Sequence, residues 1–290
     1  MTDMTCLLPP AAPHPHPQAA ATEAWYVPPG MGAPAQREVR DLFELLRIES
    51  GSLQDELAAH VDVRRVRKGG ALFHEGSAVE RLHFVRTGTF KVYHTDADGY
   101  EQVLGFAGRG GVLGLDALGL ETHPTTAIAL EDSTVLHLDT RSLRALRQRC
   151  PVFDAAMERL LSQQLTQLSD LAELMAAVAA EVRLARFLIQ LSARMRRQGE
   201  SGSRLLLRMS RRDIASYLGV AIETVSRSFA VLAQDGYLRV EKRDVEIVDA
   251  EGLKDCARAT RSSLDRAGRG AARRARAVPA SMPMPGQLFS

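Results

Sequence analysis

Residues 210–232 read SRRDIASYLGVAIETVSRSFAVL, and their apolar periodicity divides them into two short helices around a single glycine. Ser210, with Asp213 three residues on, has the spacing of a reciprocal N-terminal cap, and Ile214, Ala215 and Leu218 supply a stripe at helical intervals. Gly219 ends that helix, because a residue without a Cβ enters the left-handed conformation at no steric cost and lets the chain turn sharply. In the second helix Ile222, Val225, Phe229 and Leu232 fall on one side. Glu223, Ser226 and Arg227, at i, i+3 and i+4, fall on another. Two short helices at a tight turn, with one polar face left over, form the pattern of a DNA-reading helix-turn-helix.

The polar face has the chemistry for base edges. A guanidinium can take guanine O6 and N7 together, a carboxylate can accept from cytosine N4, and a hydroxyl serves either sense. Glu223, Ser226 and Arg227 are therefore the candidate base readers, with Arg211, Arg212 and Thr224 as candidate phosphate contacts; the alternative is a merely solvated helix face. Downstream, residues 237–240, a polar turn at 241–244 and residues 245–248 predict a small hairpin, a wing beside the DNA backbone.

The segment RMSRRDIASYLGVAIETVSR, 208–227, followed by GYLRV, resembles the winged helix-turn-helix of the bacterial family that includes the cyclic-AMP receptor protein and the fumarate and nitrate reduction regulator. The resemblance extends upstream through GFAGRGGVLGLDALGLETHPTTAIALEDSTV, 105–135. It implies an α+β chain with a jelly-roll sensor domain of the cyclic-nucleotide-binding type, a long dimerisation helix and the C-terminal winged domain. Glu223, Ser226 and Arg227 match the trio with which the fumarate-nitrate branch reads its half-site, TTGAT. The function implied is a sequence-specific transcription regulator, an activator, binding TTGAT-N4-ATCAA as a homodimer.

Composition agrees without deciding the matter. The chain has 290 residues, 45% of them hydrophobic, enough for two folded units with tails. Its 37 basic and 35 acidic side chains leave a net charge of only +2, so the location of the positive charge is informative and the total is not. Arg194, Arg196, Arg197, Arg204, Arg208, Arg211 and Arg212 gather beside the helix-turn-helix, where phosphates would lie. Cys6, Cys150 and Cys256 are far apart and suggest neither a disulfide framework nor a zinc site. With no apolar run long enough for a membrane and no signal-peptide pattern, a cytoplasmic protein is expected.

Taken in order, residues 1–36 are rich in Pro and Ala and predict a disordered or extended leader, in which His14 and His16 belong to a flexible tail without other ligands, weak metal binding being the alternative. Val39, Leu42, Phe43 and Leu46 predict a short helix. Residues 37–153 then form the sensor domain, with short strands at 71–73, 82–86, 90–95, 103–106, 126–130 and 134–138 between close turns. From 154 to 185 the period becomes helical and long, with a charge-free seam of Leu161, Leu165, Leu168, Ala172, Met175 and Ala179, continued by Val182. Leu160, Leu171, Leu174 and Val178 make a second stripe. Two stripes call for two partners, the chain's own β domain and a second copy of the helix, unless both are buried within one chain. A seam without polar residues favours a constitutive dimer. Such a dimer would set two reading helices roughly 34 Å apart on an inverted repeat.

Residues 186–250 hold the DNA-binding domain, reached through a helix over 181–195 and a polar loop at 198–203. Residues 251–290 predict a disordered basic tail that adds nonspecific affinity, so that its deletion flattens the salt dependence.

No cofactor is expected. Relatives that bind a cyclic nucleotide use a glycine-flanked Glu for the ribose and an Arg-Ser or Arg-Thr pair for the phosphate. Here Gly114, Leu115 and Asp116, then Pro124, Thr125, Thr126 and Ala127, occupy those places, and the phosphate-binding arginine is missing. An iron-sulfur cluster needs several thiolates, whereas this chain has one N-terminal cysteine and Leu136 where the sensor-domain one would be. The pattern is similar to that of the cysteine-poor FixK-like and Dnr-like groups. Haem stays open as an alternative, with His60, His74, His83, His94, His123 and His137 as candidate ligands. A cyclic-nucleotide module acting on a protein partner is a second alternative, and no motif supports an enzyme. RNA polymerase is the implied further partner, through the turn at 96–100.

Overall fold

The computed structural model describes residues 34–48, 61–177 and 179–258. The leader up to residue 33, His60, Val178 and the tail from residue 259 lie outside the described residues. Helix α1 (Pro34–Leu45) buries Val39, Leu42 and Phe43, as the spacing predicts.

Eight strands follow: β1 (Val61–Val66), β2 (Ala71–Phe73), β3 (Arg81–Thr87), β4 (Phe90–Thr95), β5 (Glu101–Ala107), β6 (Val112–Leu113), β7 (Thr126–Ala129) and β8 (Ser133–Asp139). They pair antiparallel as two sheets, β1-β8-β3-β6 and β2-β7-β4-β5. The strand period of two gives β3 and β8 two buried faces. Leu82 and Phe84, opposite Leu138 and Leu136, join α1 and the later helices in one core. Val85 and Val135 pack instead with Leu72, Phe73, Phe90 and Ala127 of the second sheet. The turn from β3 to β4 requires glycine: at Gly88 φ is 91°, and a Cβ would lie 2.0 Å from the Ser133 hydroxyl. β1 escapes the sequence pattern because four of its six residues, 62–65, are exposed and mostly charged.

Asp139 caps α2 (Thr140–Arg149) by accepting from the N–H groups of Arg141 and Ser142. Pro151 then starts α3 (Pro151–Ala176), where its missing N–H costs nothing. The single helix expected over 154–185 is two helices. α3 stops at Ala176, Ala177 is extended with ψ 134°, and a separate helix, α4 (Ala180–Arg197), follows. The break lets Val182, Leu184 and Ala185 enter the core of the C-terminal domain. Met175 and Ala179 consequently leave the seam: Met175 packs against the C-terminal core and Ala179 becomes the N-cap of α4.

That domain continues with β9 (Arg204–Leu206), α5 (Arg211–Leu218), α6 (Ile222–Gln234), β10 (Leu238–Glu241), β11 (Asp244–Ile247) and α7 (Ala250–Arg258). The wing hairpin gains a third strand, in the order β10-β11-β9. α7 corrects the expectation of a structureless tail after residue 250. Leu253 and Ala257, at i and i+4, are buried, and Arg186 Nε donates to the Ala257 carbonyl at 2.8 Å. One apolar turn suffices for docking when a neighbouring helix offers both a surface and a donor.

Candidate nucleic-acid interface

The reading unit is held by its caps. Ser210 Oγ accepts from the Asp213 N–H at 3.1 Å, and the Asp213 carboxylate accepts from the Ser210 N–H at 2.8 Å. Burial pushes the Asp213 carboxyl upward, but the Ser210 hydrogen bonds and the Lys91 ammonium outweigh it and hold the group below its ordinary pKa. Gly219 adopts φ 62°, ψ 42°, and its N–H closes α5 onto the Ala215 and Ser216 carbonyls. Against the turn, Arg183 donates from Nε to the Ala177 carbonyl at 2.8 Å and from Nη1 to the Leu218 carbonyl at 2.9 Å.

In α6, Val225, Ser228, Phe229 and Leu232 are buried. Ile222, expected among them, remains 37% exposed at the helix start. Glu223, Ser226 and Arg227 are all exposed, and their spacing puts them on one face. Ser226 Oγ donates back to the Ile222 carbonyl at 3.1 Å, and Arg227 Nη2 lies 3.4 Å from Thr224 Oγ1. Thr224 therefore bears on the direction of the Arg227 guanidinium. The N-cap, Ala221, offers no side-chain acceptor, so the first-turn N–H groups keep their capacity for an anionic oxygen.

The arginines are less uniform than the sequence suggests. Arg212, Arg204, Arg196 and Arg197 are exposed. Arg211 is turned inward, its guanidinium 3.5 Å from the Phe229 ring centroid and its Nη2 3.4 Å from the Lys242 carbonyl; this cation–π packing removes it from the freely available phosphate contacts. Arg194 donates to the Phe106 carbonyl, and Arg208 pairs with Glu131 at 3.2 Å. Sequence reasoning missed Lys242 and Arg243, exposed at the tip of the β10–β11 hairpin with Lys242 at φ 54°. Two adjacent basic residues in a two-residue turn were the available signal.

The seam on α3 divides similarly. Leu161 is partly covered by the sensor-domain core, whereas Leu165 and Leu168 are 66% and 54% exposed and Ala172 is exposed. In the second stripe Leu160 packs on the sensor domain and Leu171 and Leu174 pack on the DNA-binding domain.

The sensor domain's ligand cassette is internally bonded. Thr125 donates to the Asp116 carboxylate at 3.0 Å, and Thr126 Oγ1 accepts from the Glu75 N–H at 3.0 Å. Both hydroxyls are therefore bonded within the chain, and one of them to a carboxylate, whereas a buried phosphate calls for a cation. Among the described residues the thiols are Cys150, buried at the start of α3, and Cys256, half-buried in α7, while Leu136 is wholly buried in β8. Nearby, His83, His123 and His137 are buried beside Phe73. Phe73 stacks on His123 at 3.9 Å and on His83 at 5.6 Å, and His83 meets His137 edge-on at 4.4 Å. His74 and His94 are exposed, and His94 faces Glu75 at 2.8 Å. Among the described residues no group of His, Cys, Asp and Glu is arranged to hold a metal ion, and no helix is long and apolar enough to cross a membrane.

A β-roll joined through helices to a winged helix-turn-helix with an exposed polar reading face defines a DNA-binding transcription regulator. Residues 63–150 match the cyclic nucleotide-binding domain family, and residues 182–256 match the Crp-like helix-turn-helix domain family. The chain is 34% identical over 190 residues to the transcriptional regulatory protein btr of Bordetella pertussis, covering 66% of this chain and 78% of that protein. It is 35% identical over 187 residues to the transcriptional activator protein anr of Pseudomonas aeruginosa, covering 64% and 77%. The structure of FixK2 from Bradyrhizobium japonicum superposes with a TM-score of 0.63 at 27% identity, covering 69% of this chain and 99% of that one. The chain belongs to the CRP/FNR family of transcription regulators, and it is a regulator rather than an enzyme.

Proposed function

We propose that the protein binds TTGAT-N4-ATCAA as a homodimer and activates transcription. The carrying observation is the exposed trio Glu223, Ser226 and Arg227 on one face of α6, with a solvent-exposed guanidinium whose chemistry suits guanine O6 and N7. Thr224, Arg212, Lys242, Arg243 and the uncapped start of α6 are the groups assigned to phosphates. Dimerisation is supported by Leu165, Leu168 and Ala172, an uncovered apolar stripe on a long helix. Since that stripe carries no charge, the dimer is constitutive, and control lies in abundance or modification. Activation is supported by the turn at 96–100, where Asp96 Oδ1 accepts from the N–H groups of Asp98 and Tyr100 and leaves Tyr100 51% exposed, an ordered surface for RNA polymerase.

Neither a cyclic nucleotide nor an iron-sulfur cluster has a place in this reading. The test is binding of aerobically purified, ligand-free protein to TTGAT-N4-ATCAA and to the same duplex with the guanine and its complement exchanged. Binding in air that depends on the guanine is expected. Equal binding to both duplexes would overturn the reading, and binding that appears only after haem is added would transfer it to a haem-dependent regulator with the same target.

A further inference from the structure

β5 is an edge strand, so alternate N–H and C=O groups along it need partners from outside the sheet. The reading domain supplies them. Ser216, buried in α5, accepts from the Val103 N–H at 2.8 Å and donates to the Glu101 carbonyl at 2.7 Å, so one hydroxyl stands in for a missing strand. Gln102 Nε2 returns a hydrogen bond to the Ser216 carbonyl at 2.8 Å.

A charge lies beside this seam. Lys91 of β4 is 9% exposed, and its Nζ lies 2.6 Å from Glu101 and 3.2 Å from Asp213. Asp213 is the residue that closes the cap of α5, so the same carboxylate that starts the reading unit is tied to the sensor sheet. Lys91 also lies over the Tyr93 ring, 4.6 Å from its centroid, which fixes the direction of its stem. Burial works against the charged ammonium, yet the Glu101 hydrogen bond and the Asp213 charge together raise its pKa above the ordinary value. Phe106, Phe187 and Tyr217 close the apolar side, with ring centroids 5.5 Å to 6.1 Å apart.

We propose that Lys91 and Ser216 are positioning residues that clamp α5 to the β4–β5 hairpin and so fix the angle at which α6 is presented to DNA. A dimer with two clamped heads accepts one separation of half-sites; a dimer with loose heads accepts several. The clamp touches no base, so it governs the spacing that is tolerated and leaves the guanine preference alone. The spacing consequence rests on the dimeric, inverted-repeat reading above, whereas the clamp itself does not.

Two measurements separate the two. Lys91→Met keeps the stem, removes the charge and leaves the Ser210–Asp213 cap in place; Ser216→Ala removes only the hydroxyl. In the full-length protein without DNA, each variant is expected to speed hydrogen exchange at the Val103 amide about tenfold, with amides inside α6 unchanged. On duplexes with three, four, five and six bases between half-sites, each is expected to lose about tenfold of the wild-type preference for four while keeping its guanine preference. Lys91→Arg, which restores the charge, is expected to recover part of both effects. Unchanged exchange at Val103 in both variants overturns the clamp, whatever the DNA results. Faster exchange with an unchanged spacing preference overturns the positioning role. A wild type without guanine-dependent binding overturns the proposed function, and the clamp is then judged by exchange alone.

Discussion

Gly219 sits at φ 62°, ψ 42° with Met175 Cε 3.1 Å from where a Cβ would be. Alanine there meets both the left-handed backbone penalty and a thioether that must move. Gly219→Ala is expected to cost about 1–2 kcal/mol in denaturant unfolding and to weaken DNA binding, because the turn sets α6 against α5. This position was legible in the sequence, since only a glycine suits a sharp turn between two helical patterns. The histidines were not. Their strand parity places His83 and His137 opposite each other between the sheets, but register is needed to see it. Burial lowers His83 to about 2 and His137 to about 4, and it lowers His123 as well. Their neutral forms are favoured in the folded state, so their stabilisation is complete above the unfolded value near 6.5 and is lost as pH falls below it. Unfolding free energy is expected to drop by about 1 kcal/mol for each of His83 and His137 between pH 7.5 and 5.5, and His137→Leu is expected to flatten that slope. A stability that does not change over this interval would contradict the neutral, buried assignment.

Among the elements, α3 and α7 show what periodicity can and cannot establish. The seven-residue repeat located the exposed stripe at Leu165, Leu168 and Ala172. It ran on through Met175, Ala179 and Val182 because the end of one helix and the start of the next leave no mark in a run of alanines and valines. Replacing both Leu165 and Leu168 by Glu is expected to give a monomer at micromolar concentration by sedimentation, with thermal stability close to wild type, since neither side chain is buried in its own chain. A variant that remains dimeric would place the interface elsewhere. α7 was hidden because its composition is that of a tail, and only contact with α4 reveals Leu253 as a core residue. Leu253→Ala is expected to cost about 2–5 kcal/mol, measured by denaturant unfolding.

At the scale of the molecule, charge counting does not tell which arginines are left available to a phosphate. Arg194, Arg208 and Arg211 serve the carbonyl of Phe106, the carboxylate of Glu131 and the ring of Phe229, while the basic tip of the wing carries charge that local sequence reading passed over. Domain order was legible, and so was an exposed polar face on α6 carrying Glu223, Ser226 and Arg227, because both rest on short-range spacing. The joint between the domains was not, because Lys91 and Asp213, or Val103 and Ser216, are more than a hundred residues apart and ordinary in isolation. The central claim is that Arg227 reads a guanine in each half-site, and its most direct test is the affinity of Arg227→Ala for the matched duplex and for the guanine-exchanged one. A loss of about 1–3 kcal/mol per contact on the matched site, with little change on the exchanged one, is the predicted result. Equal loss on both duplexes would reduce Arg227 to a phosphate contact and contradict the account.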